Sequence, residues 1–179
     1  MIETSRLVLR EFREQDLAAL LALVSDPAVM KFSDGIENET DARRRLAGYR
    51  DAYRRDGFGK WAVERKDSGQ VIGYCGFGFE EFDGGREPEL GFRLLPAHWG
   101  FGLATEAASA CSRHAFATLR FPRFLGFAHL ENVASRRVLE KLGMRLLGNR
   151  RFHGGPVVVY VSPGRGSSQT PDRTTAGTS

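Results

Sequence analysis

A strand that runs into a glycine loop and then into a helix constrains this chain more than any other feature. It occupies residues 89–119. Leu90, Phe92 and Leu94 alternate with Glu89, Gly91 and Arg93, the period-2 pattern of a strand. Pro96 ends that strand, because proline has no N–H for a ladder. Gly100 and Gly102 then allow a tight turn whose N–H groups are free to face a ligand. From Leu103 onward, Ala104, Ala108, Cys111, Ala115 and Leu119 recur at helical spacing. Bare amides at a helix N-terminus suit an anion, most naturally a phosphate. The competing reading is an ordinary turn, which is what most glycine pairs before helices are.

Two common phosphate loops do not match. A P-loop needs four residues between its glycines and a Lys-Ser/Thr after them, and neither is present. A dinucleotide fingerprint needs a third glycine, where this chain has Thr105, and an acidic residue about twenty positions on.

The 179 residues predict one domain with a tail, with room for a sizeable core. The boundaries expected are a single domain over 1–162 and a disordered C-terminal tail over 163–179, where Gly, Ser, Thr, Pro and Arg cannot bury apolar area. No apolar run approaches the roughly 20 residues of a membrane helix, and no membrane partner is expected. The start of the chain lacks the apolar core of a signal peptide. Cys75 and Cys111 lie in apolar segments and read as buried thiols, so a cytoplasmic location is expected. The four histidines show no metal-ligand spacing, and no metal is expected. The formal charge of +4 permits attraction to a phosphorylated cofactor. It comes from scattered arginines without an aromatic stripe, which argues against a nucleic-acid partner.

Along the chain, Leu7, Leu9 and Phe12 suggest a strand over 7–11. Leu17, Leu20, Leu21 and Val24 form one stripe of a helix over 14–24. Asp26-Pro27 ends it. Residues 30–35 are irregular and read either as a pocket wall or as a connector. Asn38 or Thr40 caps a helix reaching Asp56, with Ala42, Leu46, Tyr49 and Tyr53 inward and most arginines outward. Residues 61–64 and 71–79 form a hairpin, and Asp83-Gly84-Gly85 turns into the 89 strand. Gly73, Gly76 and Gly78 mark bends or close packing. Residues 124–129 form a short strand, placed parallel to the 89 strand by a right-handed crossover. A helix capped by Asn132 ends at Gly143, and residues 145–151 and 157–161 close the chain as a hairpin.

Two motifs together carry a resemblance. Gly91-Phe92-Arg93-Leu94-Leu95-Pro96, followed by Trp99-Gly100-Phe101-Gly102-Leu103-Ala104-Thr105-Glu106-Ala107, resembles the acetyl-CoA loop of the GNAT N-acetyltransferase superfamily. Asn132-Val133-Ala134-Ser135, followed by Leu139-Glu140-Lys141-Leu142-Gly143-Met144, resembles its second block, and the opening Thr4-Ser5-Arg6-Leu7-Val8-Leu9-Arg10 is similar to the RimJ/RimL-like branch.

The resemblance implies an α/β (α+β) acyl-CoA N-acyltransferase fold: a mixed, strongly bent sheet of six to seven strands flanked by about four helices. It implies that the Glu89 strand carries a bulge and splays from the 124–129 strand, leaving a slot for acetyl-CoA as acyl donor. Pantetheine would bond to the backbone of Phe92, Arg93 and Leu94. The pyrophosphate would sit on the loop of His98, Trp99, Gly100, Phe101, Gly102, Leu103, Ala104 and Thr105. Asn132, with Ser135, would meet the pantetheine arm or adenylate side. Two departures stand out. Ala97 replaces the Gln or Arg common there, and Leu139 replaces a tyrosine that many members use as leaving-group acid.

The implied chemistry is acetyl transfer to a primary amine, either a protein N-terminal α-amine or a small molecule. Such an amine has a pKa of about 8 to 10, so a proton must be accepted. Glu89 resembles the general base of histone-acetylating relatives; Glu80, Glu81 or a water relay are rivals, and a salt-bridged strand-edge Glu89 is the plainer reading. The Leu94 N–H is the candidate oxyanion donor. Ser135 is the candidate acid, unless its hydroxyl only bonds its own helix backbone. Arg136, Arg137 and Lys141 would either meet a 3′-phosphate or form a solvated face. His98 and His129, near the slot, read as structural or surface histidines. Residues 32–35, the arginine-bearing helix and the hairpin near His153 would line the acceptor pocket. A homodimer is the partner arrangement common among such relatives. A non-catalytic acyl-CoA-binding module of the same fold is the alternative.

Overall fold

The computed structural model describes residues 1–152 and 155–164. Eight strands form one mixed sheet: β1 (Ile2–Glu3), β2 (Leu7–Arg10), β3 (Lys60–Arg65), β4 (Val71–Phe82), β5 (Gly85–Leu94), β6 (Leu125–His129), β7 (Arg145–Phe152) and β8 (Gly155–Val161), ordered β1-β2-β3-β4-β5-β6-β8-β7. The helices among the described residues are α1 (Leu17–Val24), α2 (Pro27–Met30), α3 (Glu39–Asp56), α4 (Leu103–Ala117) and α5 (Val133–Lys141). The architecture is the expected acyltransferase fold. It exceeds the expected count by the two-residue β1, which pairs with β2, and by the one-turn α2, whose N–H groups Ala28 and Val29 bond to the Asp26 carboxylate. Both are too short to leave a periodic pattern. The tail from 165 and residues 153–154, with His153, lie outside the described residues.

Each face of the sheet carries a core. On one, α4 lies close because Ala107, Ala108, Cys111 and Ala115 are small; they pack on Leu90, Leu94 and Phe77. Cys75 and Cys111 are free, fully buried thiols with sulfurs 3.5 Å apart, and burial pushes the Cys111 thiol upward, keeping it protonated. On the other face α1 and α3 pack through Leu20, Leu23, Ala42 and Leu46 on Ala62 and Tyr74. The cap of α3 is Asn38, whose side chain accepts from the Asp41 N–H, and Gly57 closes the helix with φ of 76°.

The β4–β5 hairpin sets the position of the site. Asp83 and Gly84 have φ of 49° and 80°, matching the right-handed twist of a two-residue turn. From that turn the ladder runs unbroken from Phe82↔Gly85 to Gly73↔Leu94. The bulge expected in the Glu89 strand is therefore not there. Register shifts occur instead at Val63/Glu64 and Leu146/Gly148. Curvature is taken up on β4: Gly73 and Gly76 have φ of 155° and 157°, and a Cβ on Gly73 would stand 2.1 Å from the Arg93 carbonyl oxygen.

A polar clamp joins the N-terminal segment to α4. Thr4 Oγ1, Ser5 Oγ and the Arg6 N–H donate to Glu106 Oε1 at 2.6, 3.1 and 3.0 Å, and Arg6 Nε donates to Oε2 at 2.6 Å. Burial alone would raise the pKa of Glu106, but the bonds from Thr4, Arg6 and Ser5 outweigh it and hold the carboxyl at about 2. The folded value lies below the ordinary 4.5, so the carboxylate stabilises the fold above that pH and the contribution is lost as pH falls toward 2. Glu106→Gln should cost about 2 kcal/mol at pH 7, allowing for solvent screening of Arg6. The deficit should shrink between pH 4.5 and 2, as read by urea unfolding across pH. Gly73→Ala should cost about 3 kcal/mol or more in the same measurement, because the new Cβ meets backbone.

Candidate functional site

β5 and β6 run parallel but share one register pair, Glu89↔Leu125. Beyond it the strands part, and a cleft of about 1660 Å³ opens between them. It runs from residues 28–37 and α3 on one face of the sheet to the N-termini of α4 and α5 on the other.

Strand geometry decides which groups of β5 face the cleft. The Leu95 N–H donates to the Ile72 carbonyl at 2.9 Å, so at this end the odd-numbered peptides of β5 serve β4. Hydrogen-bonded pairs alternate along an antiparallel ladder. Arg93, opposite Tyr74, therefore has its peptide groups turned to β4, while Phe92 and Leu94 turn theirs to the cleft. The resemblance assigned all three backbones to pantetheine; only the outer two are so oriented. Trp99 Nε1 already takes the Leu94 carbonyl at 2.7 Å, leaving the Leu94 N–H directed into the gap.

Past Leu94, a single 3₁₀ turn over Pro96–His98 leads to Gly100 and Gly102, with φ of 82° and 74°. Gly102 is the N-cap of α4 and offers no side chain, so the first-turn amides of Leu103, Ala104 and Thr105 have no intrahelical partner. Together with the helix dipole they make an anion seat. His98, Trp99, Gly100, Gly102, Leu103, Ala104 and Thr105 all line the cleft; Phe101 does not, its ring standing 65% exposed and its carbonyl bonded by Arg6 Nη1 at 2.9 Å. Burial and then Arg65 lower the pKa of His98, favouring neutral imidazole there.

Asn132 and Ser135 sit on the same wall. Asn132 Oδ1 accepts from the Ser135 N–H at 3.1 Å, capping α5, while the Ser135 hydroxyl has no hydrogen-bond partner among the described residues. Leu139 points away from the cleft and is 1% exposed; a Cβ on Gly126 would touch its Cδ2 at 2.7 Å. The position usually held by tyrosine is thus core in this chain. Arg137 and Lys141 border the cleft, whereas Arg136 is turned to the Tyr160 hydroxyl and the Leu130 carbonyl.

On the opposite wall, Glu89 is neither exposed nor alone. Lys60 Nζ donates to its Oε2 at 2.8 Å and to the Gly76 carbonyl at 3.1 Å, with both side chains less than 15% exposed. The pair lies directly over Gly91, where a Cβ would stand 2.5 Å from Nζ. Glu80 borders the cleft, and Glu81 is exposed beyond it. Further out, Glu37 pairs with Arg45, Asp41 with Arg44, and the ring of Phe32 stacks on His129 at 4.9 Å. Arg93 reaches Ser33 Oγ and Met30 Sδ. Sequence reasoning missed Lys60, Tyr74 and the Glu37–Arg45 pair. These residues lie on separate elements, and no local spacing announces their meeting. The Thr4-Ser5-Arg6 and Thr105-Glu106 motifs were both visible, and a hydroxyl-and-arginine cluster is a natural partner for a helix first-turn glutamate.

Residues 6–145 match the family described as acetyltransferase (GNAT) domain. YkkB, an uncharacterized protein of Bacillus subtilis, is 31% identical over 88% of this chain and 92% of its own length. YnaD of the same organism, an uncharacterized N-acetyltransferase, is 32% identical over 82% of this chain and 84% of its own. Among solved structures, a GNAT-family acetyltransferase from Bacillus anthracis has a TM-score of 0.77 at 28% identity, covering 89% of this chain and 96% of that one. The RimL ribosomal L7/L12 α-N-protein acetyltransferase in complex with coenzyme A superposes with a TM-score of 0.75 at 18% identity, over 90% and 96%, a likeness of fold.

Two outcomes follow from this geometry. Gly91→Ala should displace Lys60 from Glu89; in a crystal structure of the variant we expect Nζ to have moved by more than about 1 Å, the overlap being backbone-anchored. Gly102→Val should destabilise the turn into α4 by about 1–2 kcal/mol, since a β-branched residue resists left-handed φ, and thermal unfolding checks it.

Proposed function

Since this chain belongs to the acetyltransferase (GNAT) domain family, we propose that it moves an acetyl group from acetyl-CoA to a primary amine, by direct attack within a ternary complex. The amine is a protein N-terminal α-amine or a small-molecule amine. The observation that carries the reading is the gap between β5 and β6. It joins a bare helix N-terminus on one face of the sheet to a carboxylate on the other, through one continuous cleft. The RimL structure was solved with coenzyme A, which supports the donor class by analogy of fold.

The residues fit a phosphorylated, extended thioester. The α4 amides suit a diphosphate, with charge pairing limited because Ala97 brings no cation. Phe92 and Leu94 offer peptide groups to an amide-bearing arm, as an added strand would require. Acetyl-CoA supplies an activated acyl group on a thiol leaving group. The amine nitrogen bonds to the acyl carbon, the carbon–sulfur bond breaks, and one proton leaves the nitrogen. In this reading Glu89 takes that proton, directly or through water. Lys60 holds one carboxylate oxygen, Oε2, and Glu89 borders the cleft. The Leu94 N–H faces the gap as an oxyanion donor. The thiolate needs little help, with a pKa near 8.5 by analogy with free thiols; in this reading Ser135 is the hydroxyl that donates a hydrogen bond to it.

Buried Leu139 favours a second reading, an acyl-CoA-binding module without turnover, because the leaving-group acid common in relatives is missing. Calorimetry with acetyl-CoA, followed by thiol release against N-terminal peptides and small amines, separates the two. Binding with release supports the enzyme; binding without release supports the module; no binding removes both. In an active protein, Glu89→Gln should lower kcat by about 10²-fold or more if Glu89 is the proton's acceptor, directly or through water, and by less than about 10-fold if the proton passes to solvent without Glu89. Leu94→Pro removes the donor without breaking a β4 bond and should lower kcat by about 10²-fold.

A further inference from the structure

The cations on the β4–β5 side of the cleft are not equivalent. Among the described residues, three are half-buried: Lys60, Arg45 and Arg93. Lys60 is matched by Glu89, and Arg45 by Glu37, which takes both its Nε, at 2.9 Å, and its Nη2. Arg93 has no such match. Its Nη2 donates to the Ser33 hydroxyl at 2.5 Å and its Nη1 to the Met30 sulfur at 2.9 Å, and no carboxylate among the described residues lies within 4.0 Å of it. A thioether is a weak acceptor, so the guanidinium of this half-buried residue holds only neutral partners among the described residues. Neighbouring groups do not relieve it. Tyr49 and Tyr74 line the same wall, and burial raises the pKa of Tyr49, keeping its hydroxyl neutral. The Arg93 side chain also belongs to the strand whose next peptide, Leu94, turns its N–H into the gap.

An arginine in a cleft, partly desolvated and paired with neutral groups, is completed by an anion that forks onto it, and a carboxylate is the matching shape. From this we infer that the acceptor is an amine that also carries a carboxylate, and that Arg93 is the group that selects it. The inference rests on the acetyl-transfer reading above and narrows it: a small amino acid, or a short peptide with an acidic side chain near its N-terminus, in preference to a polyamine. A polycation meets the unmatched guanidinium of Arg93 here, which disfavours it, although the Asp34 carboxylate borders the same cleft.

Thiol release with saturating acetyl-CoA tests the inference, using L-amino acids against their α-amides, peptides with Asp or Ser at their second position, and spermidine. We expect at least one carboxylate-bearing amine to exceed its neutral counterpart by 10-fold or more in kcat/KM. Arg93→Met, and separately Arg93→Lys, should reduce that ratio at least 10-fold, mainly through the KM of the acceptor. The Lys variant should keep part of the ratio, because it retains charge without the fork. A preference confined to amino acids identifies the free α-carboxylate, and one confined to Asp peptides identifies a side-chain carboxylate. Because Arg93→Met could impair folding, the wild-type ratio alone decides against the inference: equal turnover of acid and amide, or spermidine as the best acceptor, overturns it while leaving acetyl transfer standing. Absence of thiol release with every amine tested overturns both.

Discussion

Two neighbouring parallel strands that pair at one residue and then diverge create an electrostatic requirement. The peptide groups beyond Glu89 and Leu125 face a gap in which β5 and β6 no longer satisfy each other. An unpaired backbone group shut away from water is costly, so such a gap persists when water or a ligand with amide character fills it. Most of the site follows. The cleft exists because the sheet is open there. The sheet is open there because β5 is committed to β4 along an unbroken ladder, while β6 is committed to β8 over its whole length, from Leu125↔Val161 to His129↔Val157.

The elements around the gap are held by interactions that do not depend on a ligand. α4 must begin at one position for its first-turn amides to face the cleft. Small residues on its buried face set its distance from the sheet, and the Glu106 clamp fixes its N-terminal end against the segment entering β2. The clamp is made of several hydrogen bonds to one carboxylate, stronger per contact than neutral pairs. Keeping the glycine turn free of side-chain caps then leaves its amides available, at a cost in local stability that tertiary contacts supply.

Charge within the cleft is distributed unevenly between its two ends. Around α5 the basic groups Arg137 and Lys141 stand at a solvated border. On the β4–β5 side cations and carboxylates meet in pairs: Lys60 with Glu89, Arg45 with Glu37, Arg44 with Asp41. Pairing of this kind holds a buried charge in place but also occupies it. Glu89 is therefore not a free carboxylate at a strand edge but salt-bridged, as the plainer reading of its position expects. It is one half of an ion pair seated over the bare Cα of Gly91, whose missing side chain is what makes room for Lys60.

Local pattern was enough to read the strand–loop–helix of residues 89–119, the capped α3, the β4–β5 turn and the order of elements. Each is written in residues close together in the chain: alternation, a cap, a glycine, a proline. The family was legible because two such motifs occur in the right order. What the chain alone did not determine is which long-range partners meet. That Arg93 turns its peptide to β4 and its side chain to Met30 and Ser33 depends on the register of a hairpin. That Lys60 reaches Glu89 depends on three strands being stacked side by side, and that Leu139 lies in the core depends on how α5 docks on Gly126. Register and docking are set by the sum of many contacts between distant segments, so tertiary structure decided them, and with them which charges in the cleft are matched and which are not.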